Sequence, residues 1–565
     1  MRQSLERSNH TTIYWISEVA GRKKIYIIIL LLIQALLGVS GVFFAVVLSH
    51  LVDGAVSGDN VKFRYAAVGF ILLVAGQIIL RAVNRYLEES AKASLENSFK
   101  ERLYENLFQR EYARVTATHS GEWVNRLTSD TQVVADAMAQ IVPGITGMMV
   151  KMFGALIAIL YYLPSFGYLL IPGGVILILL TYVFRSKLKI LHKKVQEADG
   201  GLRVFLQESI ESMMVVRAYG KESETFLQMA DKMEVHKKSR LNRMKFSNIC
   251  NIGFGAAMQG AYVLGAIVCG YGILIGTMSY GNLMAVMQLI GQIQTPFANI
   301  TGYLPKFYAM LASAERLMEI EVYEMGMDME DYHSLEDIQQ FYQNELKAIC
   351  MEEGEFCYKT FGEENAQRPI TLHDIDLRIN KGEYIALMGP SGCGKSTILK
   401  VLLSLYKLEK GQLYMETNKK CNIELTAKYR KLFAYVPQGN ALMSGNLREV
   451  VTFADASGMR NEEDIWRALT IACADVFVKE LPEGLDTVLG ERGIGMSEGQ
   501  MQRIAIARAI YSGNPILLFD ESTSALDEQT EAKLLSNLRN LTDKTVIIVT
   551  HRPAALKICD KIVQL

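Results

Sequence analysis

The stretch Gly389-Pro390-Ser391-Gly392-Cys393-Gly394-Lys395-Ser396-Thr397 fits G-x-x-x-x-G-K-[ST], the pattern of a phosphate-binding loop. Its glycines let the backbone bend until successive amide N–H groups point inward at phosphate oxygens. The helix expected to follow adds the positive end of its dipole. Lys395 has the reach for the outer phosphates, and the Ser396 hydroxyl suits Mg2+. Tyr384-Ile385-Ala386-Leu387-Met388, bounded by Gly382 and Gly389, reads as a strand. Thr397-Ile398-Leu399-Lys400-Val401-Leu402-Leu403 reads as a helix. Strand, loop and helix is the context the motif requires.

Outside this stretch the composition is unlike that of a soluble enzyme. Of 565 residues 50% are apolar and only 21% are charged, which points to membrane-spanning segments. A net charge of −1 offers no basic field for nucleic acid, and none is expected as a partner. The eight cysteines contain no C-x-x-C pair and no zinc spacing, so neither a disulfide framework nor a metal site is expected from them.

Residues 1–24 are polar, and their 12–20 piece reads as an amphipathic helix lying on the membrane surface. Arg22-Lys23-Lys24 then precedes an uncharged run over 25–52, longer than a signal-peptide core and read as a first span. The basic cluster predicts a cytoplasmic N-terminus. A second, shorter run at 65–80 is flanked by Lys62, Arg64, Arg81 and Arg85, which have the length to snorkel. Runs at 138–163 and 165–184 follow, parted at Pro164. The stretch 246–305 has no Asp, Glu, Lys or Arg. As one helix it would be about 90 Å long against a bilayer core of about 30 Å, so it must fold back. Gly276-Thr277-Met278-Ser279-Tyr280-Gly281 is the expected turn, which brings the spans to six. The charged stretches 81–136 and 185–245 read as helical hairpins with arms of about 40 Å, extending the spans into the cytoplasm. Their bends are expected near 113–120 and 203–212. The fold class is thus multidomain: an all-α, six-helix transmembrane domain over 25–318, a linker over 319–353, and an α/β P-loop domain over 354–565.

In the last domain, Pro515-Ile516-Leu517-Leu518-Phe519 is an apolar strand ending in Asp520 and Glu521. An Asp at a strand's carboxyl end beside a P-loop suits Mg2+, directly or through water. The next carboxylate is placed to polarise an attacking water. His551 follows Ile547-Ile548-Val549-Thr550 at the end of another strand, where it can reach a γ-phosphate and orient Glu521.

With these motifs in this order, the soluble domain resembles the nucleotide-binding domain of an ABC transporter, and the six spans with long hairpins resemble the exporter-type membrane domain of that family. Gln438, in Tyr435-Val436-Pro437-Gln438, resembles the Q-loop glutamine that touches Mg2+. Met496-Ser497-Glu498-Gly499-Gln500 resembles the signature, with Ser497, Gly499 and Gln500 expected to bind ATP held by the opposite subunit. Asp527, closing Ser524-Ala525-Leu526-Asp527, resembles the D-loop aspartate, also acting across the dimer. Tyr358 resembles the aromatic that stacks on adenine. Gly490-Glu491-Arg492-Gly493 resembles an exporter-specific segment that touches the membrane domain. Gly121 with Arg126 and Asp130, and Arg217-Ala218-Tyr219-Gly220 with Glu222, resemble patterns beside the coupling bends. The resemblance implies a dimer closing on two ATP molecules, with Mg2+ held by Ser396, Gln438 and Asp520 and with Glu521 and His551 catalytic. It implies a plasma-membrane location, with the nucleotide domain cytoplasmic. It also implies a partner, a second half-transporter, identical or different.

Two departures from that pattern stand out. The signature usually reads Leu-Ser-Gly-Gly-Gln, whereas Met496 and Glu498 stand here. Glu498 either faces solvent harmlessly or weakens one ATP site of a heterodimer. The chain stops at Leu565, shortly past His551, where family members usually continue through another strand and a terminal helix. No Cys/His peptidase-like segment precedes the first span, so leader-peptide cleavage is not expected. For the solute pathway, Gln288, Gln292, Thr295 and Asn299 fall on one helical face of the last span, and Lys306 extends it. That stripe lines a cavity or bonds a neighbouring helix. Lys151 is an isolated charge within the third span, able to meet an anionic group, snorkel or bond a neighbour. The reading is ATP-driven export of a drug, peptide or lipid-like solute. The alternatives are import on the same fold, or a regulatory subunit that binds ATP without transport; the intact Glu521 and His551 speak against the last.

Overall fold

The computed structural model describes residues 2–164, 167–325, 333–358, 370–439, 442–454, 461–490, 495–541 and 543–565. The chain forms two compact units, Met1–Arg102 with Arg126–Met318, and Leu103–Asn125 with Glu319–Leu565.

The first unit is helical. It contains α1 (Arg2–Ala20), α2 (Lys24–Val56), α3 (Asn60–Gln109, whose last residues belong to the second unit), α6 (Thr131–Tyr162), α7 (Gly167–Glu211), α8 (Met213–Ala218), α9 (Glu222–Leu274) and α10 (Tyr280–Met318). Among the described residues, Thr11–Val56, Asn60–Gln109, Ser120–Tyr162 and Glu222–Leu274 are long and apolar enough to cross a bilayer. α7 and α10 carry the other two apolar runs. α2, α6 and α10 pack on one another, and α7 pairs with α9. The turn before α10 is held by Asp53. Its Oδ1 accepts from the Gly281 N–H and its Oδ2 from Ser279 Oγ, both at 2.8 Å, so a carboxylate sits at the positive end of that helix.

α1 packs on protein along one side: Trp15, Ile16 and Ala20 are buried, and the Trp15 ring lies 5.7 Å from Phe99 of α3, while Ile13 and Tyr14 are exposed. One expectation changes here: the second bend falls later than 203–212. α7 runs through Gly200-Gly201 to Glu211, and the chain turns between Ser212 and Lys221, with Gly220 in the left-handed region. Paired glycines weaken a helix by only about 1 kcal/mol each and do not end one that is packed along a partner such as α9.

The second unit includes α4 (Tyr112–Ala117) and α5 (Ser120–Asn125), the bend expected at 113–120. Ala113 packs against the core of this unit, and Arg110 Nη1 donates to the Tyr323 carbonyl at 2.8 Å. The unit's remaining helices are α11 (Leu335–Asn344), α12 (Lys395–Leu402), α13 (Leu447–Val451), α14 (Glu462–Ile471), α15 (Asp475–Glu480), α16 (Glu498–Tyr511), α17 (Glu528–Arg539) and α18 (Pro553–Leu556). Its strands are β1 (Leu346–Cys357), β2 (Ile370–Asn380), β3 (Tyr384–Met388), β4 (Lys410–Thr417), β5 (Asn422–Glu424), β6 (Phe433–Val436), β7 (Gly445–Asn446), β8 (Val488–Leu489), β9 (Ile516–Asp520), β10 (Thr545–Val549) and β11 (Lys561–Gln564). α11 and most of β1 occupy the stretch expected to be linker. β1 is irregular at Glu352–Glu355, where its pairing shifts register, and that breaks the alternation by which a strand is read.

One sheet is parallel, in the order β11-β3-β10-β9-β6; a second is antiparallel, in the order β2-β1-β4-β5. β9 and β10 are buried on both faces, as the central strands of a parallel sheet must be. The register sets Val549 beside both Leu387 and Asp520. The carboxyl ends of β3, β9 and β10 are therefore level, and functional side chains of such sheets gather at that edge.

Candidate functional site

The P-loop leaves β3 at Met388 and enters α12 at Lys395. Gly394, the residue before the helix, has φ +100. A methyl group there would lie 2.4 Å from Leu372 Cδ2 and 2.9 Å from the Thr371 carbonyl, so only glycine fits. Lys395 is buried, and its Nζ curls back over the loop to donate to the carbonyls of Gly389 at 2.6 Å and Pro390 at 2.9 Å. Ser391 and Gly392 form the exposed rim of the loop. Thr397 Oγ1 and Tyr358 OH are 3.0 Å apart, which fixes Tyr358 beside the first turn of α12.

Ser396 Oγ donates to Asp520 Oδ1 at 2.9 Å, and Tyr435 OH donates to Oδ2 at 3.1 Å. Burial pushes the Asp520 carboxyl above its ordinary value; the two hydroxyls oppose this, and the neighbouring Glu521 charge adds to it. Burial and then the Asp520 charge push the Tyr435 hydroxyl up as well, so it stays a donor at neutral pH. Tyr435 belongs to the Q-loop stretch but is absent from the set expected from sequence. Its signal was the strand position preceding Val436, on β6 beside β9.

Glu521 follows β9 with φ +49, a conformation few non-glycine residues adopt, while its N–H donates to the Val549 carbonyl at 3.1 Å. Its Oε2 accepts from Gln438 Nε2 at 2.8 Å. His551 lies past β10 at the same end of the sheet and is exposed. Ser396, Gln438, Asp520 and Glu521 thus converge on one edge beside the P-loop.

The remaining expected residues form a second cluster. Ser497 caps α16: its Oγ accepts from the Gln500 N–H at 3.2 Å, while Gln500 Oε1 accepts from the Ser497 N–H at 2.9 Å, a capping box. Glu498 is exposed in the first turn of that helix, where its charge favours the dipole. A methyl on Gly499 would lie 2.8 Å from the Ala525 carbonyl, so this helix start abuts the Ser524–Asp527 loop. Asp527 caps α17 through the Thr530 N–H at 2.9 Å, a bond that holds its carboxyl below the usual range. Among the described residues, no hydrogen bond links this cluster to the chain's own P-loop.

Sequence reading missed what holds this loop. Gln502 Oε1 accepts from the Ala525 N–H at 3.1 Å. Arg552, beside His551, donates to the carbonyls of Ser524 and Leu526 and to Glu531 Oε2. Glu531 is buried and also accepts from Thr523 Oγ1 at 2.7 Å. The segment Gly490–Gly493 falls largely outside the described residues. Asp130 is buried and meets Arg316 Nε at 2.8 Å and Ser313 Oγ at 2.9 Å, and Arg126 Nη1 donates to the Arg316 carbonyl. These pairs tie the end of α10 to the start of α6.

In the membrane unit the expected polar stripe divides. Gln288 is exposed, whereas Gln292 is buried and donates from Nε2 to the Gly41 carbonyl at 2.6 Å. That bond is helix-to-helix. Lys306 donates to Gln140 Oε1 at 2.8 Å. The side chains of Thr295 and Asn299 lie outside the described residues.

A phosphate loop, a paired carboxylate edge and a helical membrane unit with six apolar runs in one chain define an ATP-hydrolysing membrane transporter. The family profile of the ABC transporter transmembrane region matches residues 27–297, and a second profile, described as ABC transporter, matches 372–524. The chain belongs to the ABC transporters, as a half-transporter of exporter type that binds and hydrolyses ATP. It is 26% identical to an uncharacterized ABC transporter ATP-binding protein of Bacillus subtilis, over 93% of this chain and 89% of that one. It is 25% identical to ATP-dependent lipid A-core flippase 1 of Colwellia psychrerythraea, over 94% and 88%. A leukotoxin translocation ATP-binding protein of Mannheimia glucosida is 26% identical over 97% of this chain and 75% of that one. Among solved structures, a bacterial Atm1-family ABC exporter with ATP bound superposes with a TM-score of 0.75, at 20% identity, over 97% of this chain and 94% of that chain. It shares the fold.

Cys393 offers a chemical handle on the loop. It is partly exposed, with Sγ 4.0 Å from Lys395 Nζ. A maleimide is expected to block binding of a fluorescent ATP analogue, prior ATP to protect, and Cys393→Ser to abolish the sensitivity. Sensitivity persisting in Cys393→Ser would place the reactive thiol elsewhere.

Proposed function

We propose that two such half-transporters form an exporter in the plasma membrane, N-terminus and nucleotide domain on the cytoplasmic side, with ATP bound between one chain's P-loop and the other's signature. Export is supported by the relatives that flip lipid A-core or translocate leukotoxin along nearly the whole of this chain. The observation that carries the reading is the pair of contacts at one sheet edge, Ser396 with Asp520 and Gln438 with Glu521.

In this scheme the loop amides and Lys395 take the β- and γ-phosphates. Tyr358 stacks on adenine. Ser396, Gln438 and Asp520 are the oxygen donors suited to Mg2+, and a cation there would neutralise phosphate charge during transfer. Glu521 accepts the proton of the attacking water, and His551 holds the γ-phosphate side. From the opposite chain, Ser497, Gly499, Gln500 and Asp527 complete the pocket, and the exposure of Glu498 supports an identical partner. ATP binds the closed dimer better than the open one, and that difference in affinity drives the membrane unit between its two access states. The solute passes the α10 face carrying Gln288 and Gln292.

Turnover by this chain purified alone in lipid nanodiscs, from a particle of dimer mass, tests the proposal. ATP bound without turnover would sink the homodimer and point to a second, different subunit.

The raised Asp520 carboxyl has a consequence for stability. Its folded value lies above its unfolded one, so its contribution is full below the unfolded value and is lost as pH rises through the folded value. At neutral pH the charged group therefore costs stability in the ligand-free chain. Asp520→Asn is expected to raise the ligand-free melting temperature slightly. The same change should weaken the Mg2+-dependent part of ATP binding at least about tenfold. A variant both less stable and unchanged in Mg2+ dependence would remove Asp520 from the cation site.

A further inference from the structure

Lys151 is placed where a membrane protein rarely keeps a charge. It lies roughly a dozen residues, or about 18 Å of helix, from either end of the apolar run 138–163. A lysine stem spans about 6 Å, so the ammonium cannot snorkel to either interface. No Asp or Glu occurs in the runs 25–52, 65–80, 138–163, 165–184 or 246–305. An identical copy of the chain would bring none either. Among the described residues Lys151 Nζ has no hydrogen bond or ion pair.

The packing around Lys151 is specific. α2 and α6 cross closely at Gly38, where a methyl would lie 2.9 Å from the Gly147 carbonyl and 3.1 Å from the Lys151 N atom. One turn further, a methyl on Gly41 would lie 3.7 Å from Lys151 Cε and 3.2 Å from Gln292 Oε1. The lysine stem and the Gln292 amide therefore meet over the same bare glycine. Gln292 is 6% exposed and its Oε1 has no partner, although its Nε2 is bonded to the Gly41 carbonyl. Gln77 adds a further amide to this layer, donating to the Ser40 carbonyl at 3.0 Å. A half-buried cation within a span, beside an unsatisfied buried acceptor, is costly unless something pairs with it.

We infer that Lys151 and Gln292 form a mid-membrane site for a solute bearing an anionic group with an adjacent hydroxyl or N–H donor: Lys151 takes the anion, and Gln292 Oε1 takes the donor. The inference rests on the transport reading for the role of the site, but its chemistry stands on the pair itself. A phosphate or carboxylate of that kind belongs equally to a lipid headgroup and to a free amphiphile.

Binding without ATP separates these claims. The full chain in phosphatidylcholine nanodiscs is titrated with radiolabelled octyl phosphate, with empty discs subtracted. Saturable binding is expected, about tenfold tighter than that of uncharged octyl glucoside. Lys151→Met, which keeps the stem, is expected to lose that preference, and Lys151→Arg to keep most of it. Equal binding of the two amphiphiles by the wild-type chain, or an unchanged preference in Lys151→Met, would overturn the assignment without any variant having to be active. Discs doped with phosphatidylglycerol distinguish the sources: competition by the lipid identifies a headgroup, and its absence a free amphiphile. Failure of ATP-driven movement with this binding intact would count against the transport reading alone.

Discussion

Glu521→Gln is expected to lower ATP turnover by about 10²- to 10⁴-fold, the usual contribution of a positioned general base, while ATP still binds. The replacement has the same shape, and the amide oxygen of the new side chain can still accept from Gln438, as Glu521 Oε2 does at 2.8 Å. The unusual backbone at φ +49 is held by the bond from the Glu521 N–H to Val549, which the substitution leaves alone. What changes is basicity. The measurement is phosphate release beside equilibrium binding of a fluorescent ATP analogue, both in nanodiscs. A parallel loss of binding and turnover would make Glu521 a structural residue of the loop. A loss smaller than about tenfold would hand the base to another group, with His551 the first candidate because it lies past β10 at the same end of the sheet. A large loss with intact binding also excludes a regulatory subunit without turnover, since such a chain would have no activity to lose.

How much of this was legible in the sequence depends on the range over which each feature is determined. The P-loop was legible because phosphate chemistry demands contiguous residue types, and Gly394 shows why: its neighbours Leu372 and Thr371 leave no room for a side chain. The strands at β9 and β10 were legible because doubly buried parallel strands read as short unbroken apolar runs. The start of the second unit was not, because β1 changes register at Glu352–Glu355 and its polar residues there mimic a linker. The second bend was placed too early because local sequence does not fix where a helical arm ends, whereas packing of α7 on α9 carries α7 through Gly200-Gly201 to Glu211. Gln292 was chosen for its helical face, but only coordinates reveal that one end of its amide is spent on Gly41 and the other is left open. The clamp on the Ser524–Asp527 loop was invisible for a related reason. Glu531 and Arg552 stand on separate elements, and neither residue belongs to a motif.

That clamp carries the second large effect. Arg552→Met removes the guanidinium from Glu531, whose side chain is 3% exposed, and leaves Thr523 as the carboxylate's donor. Breaking one side of a buried ion pair typically costs about 3–5 kcal/mol, because the orphaned charge stays desolvated. Arg552 is itself 34% exposed, so water reaches the vacated side and the low end of that range applies. For a domain of this size about 3 kcal/mol corresponds to a fall of roughly 6–12 °C in the temperature at which ATP-analogue binding is lost. Arg552→Lys should recover little, since one ammonium cannot reproduce a fork that reaches Ser524, Leu526 and Glu531 together. Pairing Arg552→Met with Glu531→Leu should restore most of the stability, because no buried charge then remains. It should not restore turnover. The Ser524 and Leu526 carbonyls stay unanchored, so Asp527 and the Gly499 helix start that abuts Ala525 lose their fixed register. Stability and turnover therefore separate in the double variant. Recovery of both would mean that Arg552 merely neutralises Glu531, and recovery of neither would mean that Glu531 has a role of its own beyond the pair.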